Sequence, residues 1–318
     1  MAGPVAAVEP QQGGHINESH VVVAGGGRYL LQQLNPAVFA DPDGVMANIL
    51  VVTAHLRSRG EPTLTVLLTD EGRPHWRGWR MYELVEGARP AQVRSPVEAE
   101  AVGRCVGRFH RALADLDPSL LLVTMPSFHD PVRRLAGLEA LDPAEAAEAA
   151  EEVAALRELR HLAEIGSELN ALPLRIAHND AKVDNVLVDE HTGEPVMLVD
   201  LDTVMPGGVL WDVGDLVRSA TATAAEDDPA ARFDGARHAG LMEGWLAETG
   251  GLLSAEERAL LDAAGPVVTY EQAVRFLTDH LAGDVYYRVA RRGQNLDRAR
   301  SQLALLHSML AAPKARAS

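Results

Sequence analysis

Lysine is almost absent from this chain: among 318 residues only Lys182 and Lys314 carry an ammonium, and arginine supplies every other permanent side-chain cation. Acids outnumber bases 45 to 29, for a formal net charge of −16. That balance argues against nonspecific binding to nucleic acid or to an anionic membrane surface, so any phosphate must be held by local geometry. The single cysteine, Cys105, excludes an intrachain disulfide and a cysteine metal cluster; it lies in an apolar stripe and reads as a small hydrophobe. No stretch approaches the ~18 uncharged apolar residues that a membrane span needs. The opening MAGPVAAVEPQQGG has neither the basic start nor the long apolar core of a secretory signal. Together these absences predict a soluble, cytoplasmic protein whose partners include neither nucleic acid nor membrane.

What is present divides into two parts. Two strand-like runs, 19–24 and 28–34, flank Gly25, Gly26 and Gly27, a hairpin signal. A helical stripe through Val45, Ile49, Val52 and Leu56 follows, with Asp41 or Asp43 as cap. TLTVLLTD and GWRMYELVEG read as further strands. Beyond a hinge near 82–87 the composition turns helical. One helix starts at Ser95 and Pro96 with Glu98 closing a capping box, and carries Val102, Val106, Phe109 and Leu113 on one face. A second starts at Asp142 and Pro143 and runs on to about residue 172. Further helices are expected over 256–264, 270–289 and 296–310. The expectation is an α+β protein with a small sheet-rich lobe, residues 1–88, and a larger, mainly helical lobe, residues 89–318.

Lys182 sits in HNDAKVDNVLVD, two residues after Asp180 and three before Asn185. A strand over 186–189 and a second, PVMLVD, ending at Asp200, form a hairpin that brings Asp180, Lys182, Asn185 and Asp200 to one edge. Such a set suits phosphoryl transfer: a carboxylate takes the attacking hydroxyl's proton, an amide oxygen and a second carboxylate hold magnesium, and a cation offsets the moving charge. The bland alternative, an ordinary polar turn, fits Asp184 and Asp189 but not the other four acting together.

The spacing His178-x-Asp180-x-Lys182-x-x-Asn185 with Asp200 downstream resembles the protein-kinase catalytic loop. The resemblance implies a two-lobed protein-kinase-like fold, with Asp180 as base, Lys182 at the transferred phosphoryl group, and Asn185 and Asp200 as magnesium ligands. ATP would lie behind the hinge, near Glu83 and Val85. Kinases also set a lysine on a small-lobe strand, yet here that strand reads RYLLQQLN. Either a glutamine such as Gln32 meets the nucleotide, or Lys182 and magnesium carry the neutralisation; the second is preferred.

GHINESHVV, VDLDTVMPGG and RFLTDHLAGDVYYRVARRGQNLDRARSQ narrow the likeness. With the catalytic loop they resemble the aminoglycoside phosphotransferase and choline kinase superfamily, and within it the bacterial N-acetylhexosamine 1-kinases, from about residue 13 to 302. That family resemblance implies ATP-dependent phosphorylation of the anomeric hydroxyl of a free amino sugar, with Asp180, His15, Arg275 and Tyr286 at the sugar. Ala181, Val183 and Asp184 depart from the pattern of well-known members, which leaves the preferred hexose or hexosamine open. Tyr286 and Tyr287 are expected on one helix, roughly 100° apart, one toward the cleft and the other toward the core.

Other polar residues draw structural readings. His178 is expected to hold backbone, Asp212 to tie down the catalytic loop, and Asp215 to pair with Arg218; Asp202 is divided between metal-bound water and loop organisation. His55, His110, His161 and His307 lack metal-ligand spacing. Two rivals stand beside the sugar kinase. One is a kinase for another small alcohol, such as an aminoglycoside, choline or homoserine. The other is a catalytically degenerate nucleotide-binding scaffold, supported only by the missing small-lobe lysine.

Overall fold

Gly25 and Gly26 adopt φ of 57° and 83°, a region that residues with a Cβ rarely enter. There the chain reverses between β2 (Glu18–Ala24) and β3 (Gly27–Gln33), forming the expected hairpin. β1 (Val5–Pro10), β4 (Val66–Leu67) and β5 (Trp79–Glu83) complete a five-stranded antiparallel sheet in the order β1-β2-β3-β5-β4. The computed structural model describes residues 3–11, 16–141 and 146–313. In α1 (Pro42–Ser58), Asp41 caps the first turn by accepting from the Gly44 amide at 2.9 Å. The four stripe residues Val45, Ile49, Val52 and Leu56 are all buried. Asn48, on the same helix, donates to the carbonyls of Leu122 and Val204 and accepts from the Leu122 amide. One buried carboxamide thus links the sheet-bearing lobe to the helical one.

β6 (Ala88–Pro90) leaves the small sheet and pairs with β8 (Val186–Asp189), which pairs in turn with β9 (Pro195–Leu198). β7 (Arg175–Ala177) and β10 (Met205–Gly207) form a separate two-stranded ladder. The rest of the large lobe is helical: α2 (Pro96–Leu113), α3 (Pro131–Glu139), α4 (Ala150–Glu158), α5 (His161–Asn170), α6 (Val209–Thr221), α7 (Gly235–Thr249), α8 (Ala255–Leu281) and α9 (Gln294–Ala311). The architecture is therefore α+β, with a small antiparallel-sheet lobe and a larger helical lobe. Among the described residues no helix is long and apolar enough to cross a membrane.

Several elements differ from the expected ones, each for a local reason. Ser95 caps α2 through the Glu98 amide, but the Glu98 carboxylate reaches back to the Arg94 amide at 2.7 Å rather than to Ser95. The start expected at Asp142 lies outside the described residues, and the expected helix is interrupted by a 3-10 turn, Ala147–Ala149, and again at Leu159 and Arg160. Leu156 and Leu162 are both buried, and a spacing of six cannot keep one face of a continuous helix. α8 runs unbroken through Gly265 and Pro266, where the sequence had suggested a gap. Proline inside a helix removes one hydrogen bond, yet Val267, Val268, Tyr270 and Val274 are buried around it, and that apolar burial holds the helix together. α8 then ends at Leu281. Gly283 and Asp284 take φ of 91° and 59°, so Tyr286 and Tyr287 lie in a loop, not on a helix.

α2 and α7 meet along facing glycines. A Cβ on Gly244 would collide with the Glu100 carbonyl, and one on Gly103 with the Leu241 carbonyl. Gly240 and Gly107 make similarly close approaches to Pro96 and Trp245. Four glycines let two backbones touch, which side chains of any size would prevent. Gly244→Ala should destabilise the fold by about 2 kcal/mol through overpacking, read as a lowered denaturant midpoint with unchanged slope.

Candidate active site

The loop between β7 and β8 is held from behind by one carboxylate. Asp212, fully buried in the first turn of α6, accepts from the His178 amide at 2.7 Å and from the Asn179 amide at 2.6 Å. His110 Nε2 adds a third contact at 2.8 Å, while its Nδ1 accepts from the Trp245 indole at 3.0 Å. Burial alone would raise the Asp212 carboxyl. The hydrogen bonds from His110 and from the His178 amide hold it below the usual carboxylate range. Asn179 takes φ of 63° and donates to the carbonyls of Ala177 and Thr203. His178 is buried; its Nδ1 accepts from the Asp180 amide at 3.3 Å, so Nε2 carries the hydrogen that meets the Val199 carbonyl at 2.8 Å. His178 and Asp212 both hold backbone, as the sequence suggested.

Asp180 emerges from this frame. Its Oδ2 meets Lys182 Nζ and Asn185 Nδ2, each at 3.0 Å, and its carbonyl accepts from Asn185 Nδ2 at 2.7 Å. Burial works to raise the Asp180 carboxyl, but the Lys182 ammonium outweighs it and holds the group below its ordinary range. Lys182 is held charged: burial opposes the ammonium, and Asp180, Asp200 and Asp215 more than compensate. Asp200 takes the left-handed conformation, φ 61°, and its side chain reaches solvent through the cleft although the residue lies deep in the molecule. That depth, with the charges of Asp202 and Asp180, pushes its carboxyl up to about 6.

Two cavities meet at Asp180 and Lys182. The first is lined by Asn17, Ser19 and Gln32 of the small lobe and by Asp200, Asp202 and Thr203. The second is lined by Phe128, Gln272, Arg275, Phe276, Tyr286 and Tyr287, with Arg218, Glu226 and Arg298 beyond. In it the Arg275 guanidinium lies 5.1 Å from the Phe128 ring centroid and 5.6 Å from those of Tyr286 and Tyr287. Among the described residues Arg275 has no carboxylate within ion-pair distance; its only side-chain hydrogen bond is to Gln272 at 3.3 Å. The tyrosine loop is pinned by Asp279, which accepts from the amides of Val285, Tyr286 and Tyr287 at 3.0, 2.7 and 2.9 Å and from Asn295 Nδ2 at 2.9 Å.

A base, a paired cation, a carboxamide and a second carboxylate at the junction of two cavities are the parts that phosphoryl transfer requires. Residues 7–248 match the model of the phosphotransferase enzyme family. The chain belongs to this phosphotransferase family. A choline/ethanolamine kinase family protein from Mesorhizobium loti is similar in structure, with a TM-score of 0.59 at 20% identity, covering 97% of this chain and 90% of that one. A Plasmodium vivax ethanolamine kinase matches at TM-score 0.61 and 12% identity, over 93% and 82% of the two chains. A spectinomycin phosphotransferase, solved with ADP and spectinomycin, matches at TM-score 0.62 and 13% identity, over 97% and 94%. At these identities the likeness shows the fold, which is that of the kinase-like phosphotransferases acting on an alcohol.

Among the site residues expected from sequence, Asp180, Lys182 and Asn185 are in direct contact, and Asp200 shares the first cavity of this phosphotransferase with Gln32. Arg275 and Tyr286 line the second. Tyr287, expected in the core if Tyr286 faced the cleft, lines it as well, because the loop conformation turns both rings toward Arg275. Glu83 is the last residue of β5 and Val85 lies on the connector after it; neither lines either cavity. His15 lies outside the described residues. Asp215 pairs with Arg218 at 2.7 Å, as expected.

Sequence reasoning missed two buried polar arrangements. Arg80 of β5 pairs with Asp202. His129 meets Glu271 Oε2 through Nδ1 at 2.7 Å and the Asn179 carbonyl through Nε2 at 3.0 Å, stacked 4.5 Å from Trp211. His129 thereby joins α8, one turn before Arg275, to the loop that carries Asp180. The pairing of FHD at 128–130 with an acid 141 residues away leaves no mark in local spacing.

The residues suit magnesium. Asn185 spends its Nδ2 on Asp180, which leaves its Oδ1 with no partner among the described residues, and the Asp200 carboxylate likewise accepts no protein hydrogen bond there. Both are hard oxygen donors of the kind magnesium takes. Because the Asp200 carboxyl is raised, the folded protein holds its proton more tightly than the unfolded chain, and below about pH 6 that proton opposes a cation. The rise in melting temperature produced by Mg-ADP should therefore grow as pH climbs from about 5 to about 7, measured against metal-free protein at each pH.

Proposed function

We propose that this protein transfers the γ-phosphoryl group of ATP to the anomeric hydroxyl of a neutral hexose or N-acetylhexosamine, giving a sugar 1-phosphate. The observation that carries the reading is the second cavity, whose aromatic cage is already filled by the protein's own cation. Phe128, Tyr286 and Tyr287 surround Arg275 as they would surround a quaternary ammonium. An acceptor bearing positive charge would meet an unpaired guanidinium there. A polyhydroxy acceptor would instead find donors in Arg275, Gln272 and the two phenols, and ring faces for its apolar side.

The chemistry divides between the cavities. Magnesium, held by Asn185 and Asp200, would offset charge on the β- and γ-phosphates. Asp180, ionised at neutral pH, orients the acceptor hydroxyl and accepts its proton. Lys182 is 3.0 Å from Asp180 and stands where charge on the transferred group is offset. Gln32 lines the first cavity, on the side where the nucleotide would lie. Positioning and charge stabilisation carry most of such catalysis.

A kinase for an amino alcohol or aminoglycoside is the second reading, and it is supported by the acceptors for which the structural relatives are named. Glu226 is the acid lining the second cavity that could meet a cationic acceptor. Its carboxylate is already engaged by Arg218 at 3.1 Å and Arg298 at 3.7 Å.

ADP release measured over a panel of hexoses, hexosamines, choline, ethanolamine, homoserine and aminoglycosides decides between them, with NMR of the product locating the phosphate. Turnover confined to the cationic acceptors would end the sugar reading. Asp180→Asn should keep nucleotide affinity and lose about 10³-fold in kcat. Arg275→Met should raise KM for the sugar about tenfold while KM for ATP stays unchanged.

A further inference from the structure

Arg80 and Asp202 form an ion pair across the lobes, with 2.5 Å between Nη1 and Oδ1 and exposures of 2% and 3%. Arg80 stands opposite Gln32 in the sheet, and its Nη2 donates to Gln32 Oε1 at 3.1 Å. The Tyr82 ring lies 5.2 Å from the guanidinium. Asp202 belongs to the 3-10 turn Leu201–Thr203, directly after Asp200. Its other oxygen accepts from Asn17 Nδ2 at 2.6 Å, and Asn17 Oδ1 in turn accepts from the Asn35 amide at 3.1 Å. Two small-lobe side chains, one before β2 and one on β5, therefore grip a single large-lobe carboxylate two residues from Asp200.

Charge makes this grip consequential. The chain has no lysine before Lys182, and Arg80 is the buried arginine of the small lobe among the described residues. A buried cation left without its partner is costly and turns to the next carboxylate. For Arg80 that carboxylate is Asp200, whose charge it already feels. A buried Asp202 without Arg80 would in turn be free to compete for any cation that Asp200 holds.

We propose that Arg80 is a positioning residue that acts through Asp202: it fixes the turn presenting Asp200 to the cleft and keeps a second carboxylate out of the metal's reach. It thereby couples the seating of the small lobe to the metal site without touching the phosphates. The proposal rests on the donor cavity being a magnesium–nucleotide site.

The test is calorimetric titration of ADP, with and without magnesium, into wild-type protein, Arg80→Met and Asp202→Asn, with thermal unfolding establishing that each is folded. Metal-free ADP affinity should stay within about threefold of wild type in both variants, while the factor by which magnesium tightens ADP falls about tenfold or more. If Arg80→Met does not fold, the nearly isosteric Asp202→Asn, which still offers Asn17 an acceptor, carries the test. An unchanged magnesium factor in a folded variant overturns the proposal. So does an equal loss of ADP affinity with and without the metal in Arg80→Met, which would mean direct contact with phosphate. A magnesium factor of one in the wild type would overturn the donor-site reading itself, and that result is distinguishable because it needs no substitution.

Discussion

The capture of two consecutive amides by the Asp212 carboxylate is the contact from which the transfer site is built. His178 and Asn179 would otherwise present unpaired N–H groups inside the large lobe, an arrangement that costs free energy comparable to the lost hydrogen bonds. With both amides bound and Asn179 in the left-handed region, the chain turns so that Asp180 faces outward and the next residues wind into the short turn 183–185. Asn185 then closes on Asp180 from the other side. Asp180 is thus placed by backbone geometry, and its carboxylate meets Lys182 and Asn185 through Oδ2.

Around that frame the charges are arranged unequally. Asp180 is paired with Lys182, Asp202 with Arg80, and Asp215 with Arg218. Asp200 alone among these four acids lacks a basic side chain within ion-pair distance among the described residues, and it faces the opening. Its raised carboxyl reflects the imbalance: a deep, uncompensated carboxylate prefers a proton or a metal ion to standing alone. The same logic, reversed in sign, applies across the junction, where Arg275 is the uncompensated cation. The two uncompensated charges, one of each sign, thus stand on either side of Asp180 and Lys182.

Legibility followed sequence distance. The residues of the loop from His178 to Asn185 lie within eight positions, so their spacing reports their geometry directly, and the hairpin glycines and the Asp41 and Ser95 caps are equally local. Arg80 was unreadable because its partner is 122 positions away and because β5 alternates like any half-buried strand. His129 and Glu271 were missed for the same reason. The continuity of α8 through Gly265 and Pro266 was hidden because local propensity opposes it and only tertiary burial overrides it. The tyrosine pair was misassigned because positive φ at Asp284, a non-glycine residue, ends the helical geometry where the residue pattern does not.

Asp279 repeats on the acceptor side what Asp212 does on the donor side, collecting three successive amides and so freezing the segment that carries Tyr286 and Tyr287. The ordering entropy of that segment is settled when the chain folds, not when a ligand arrives. Ring identities at 286 and 287 are consequently uncoupled from backbone shape.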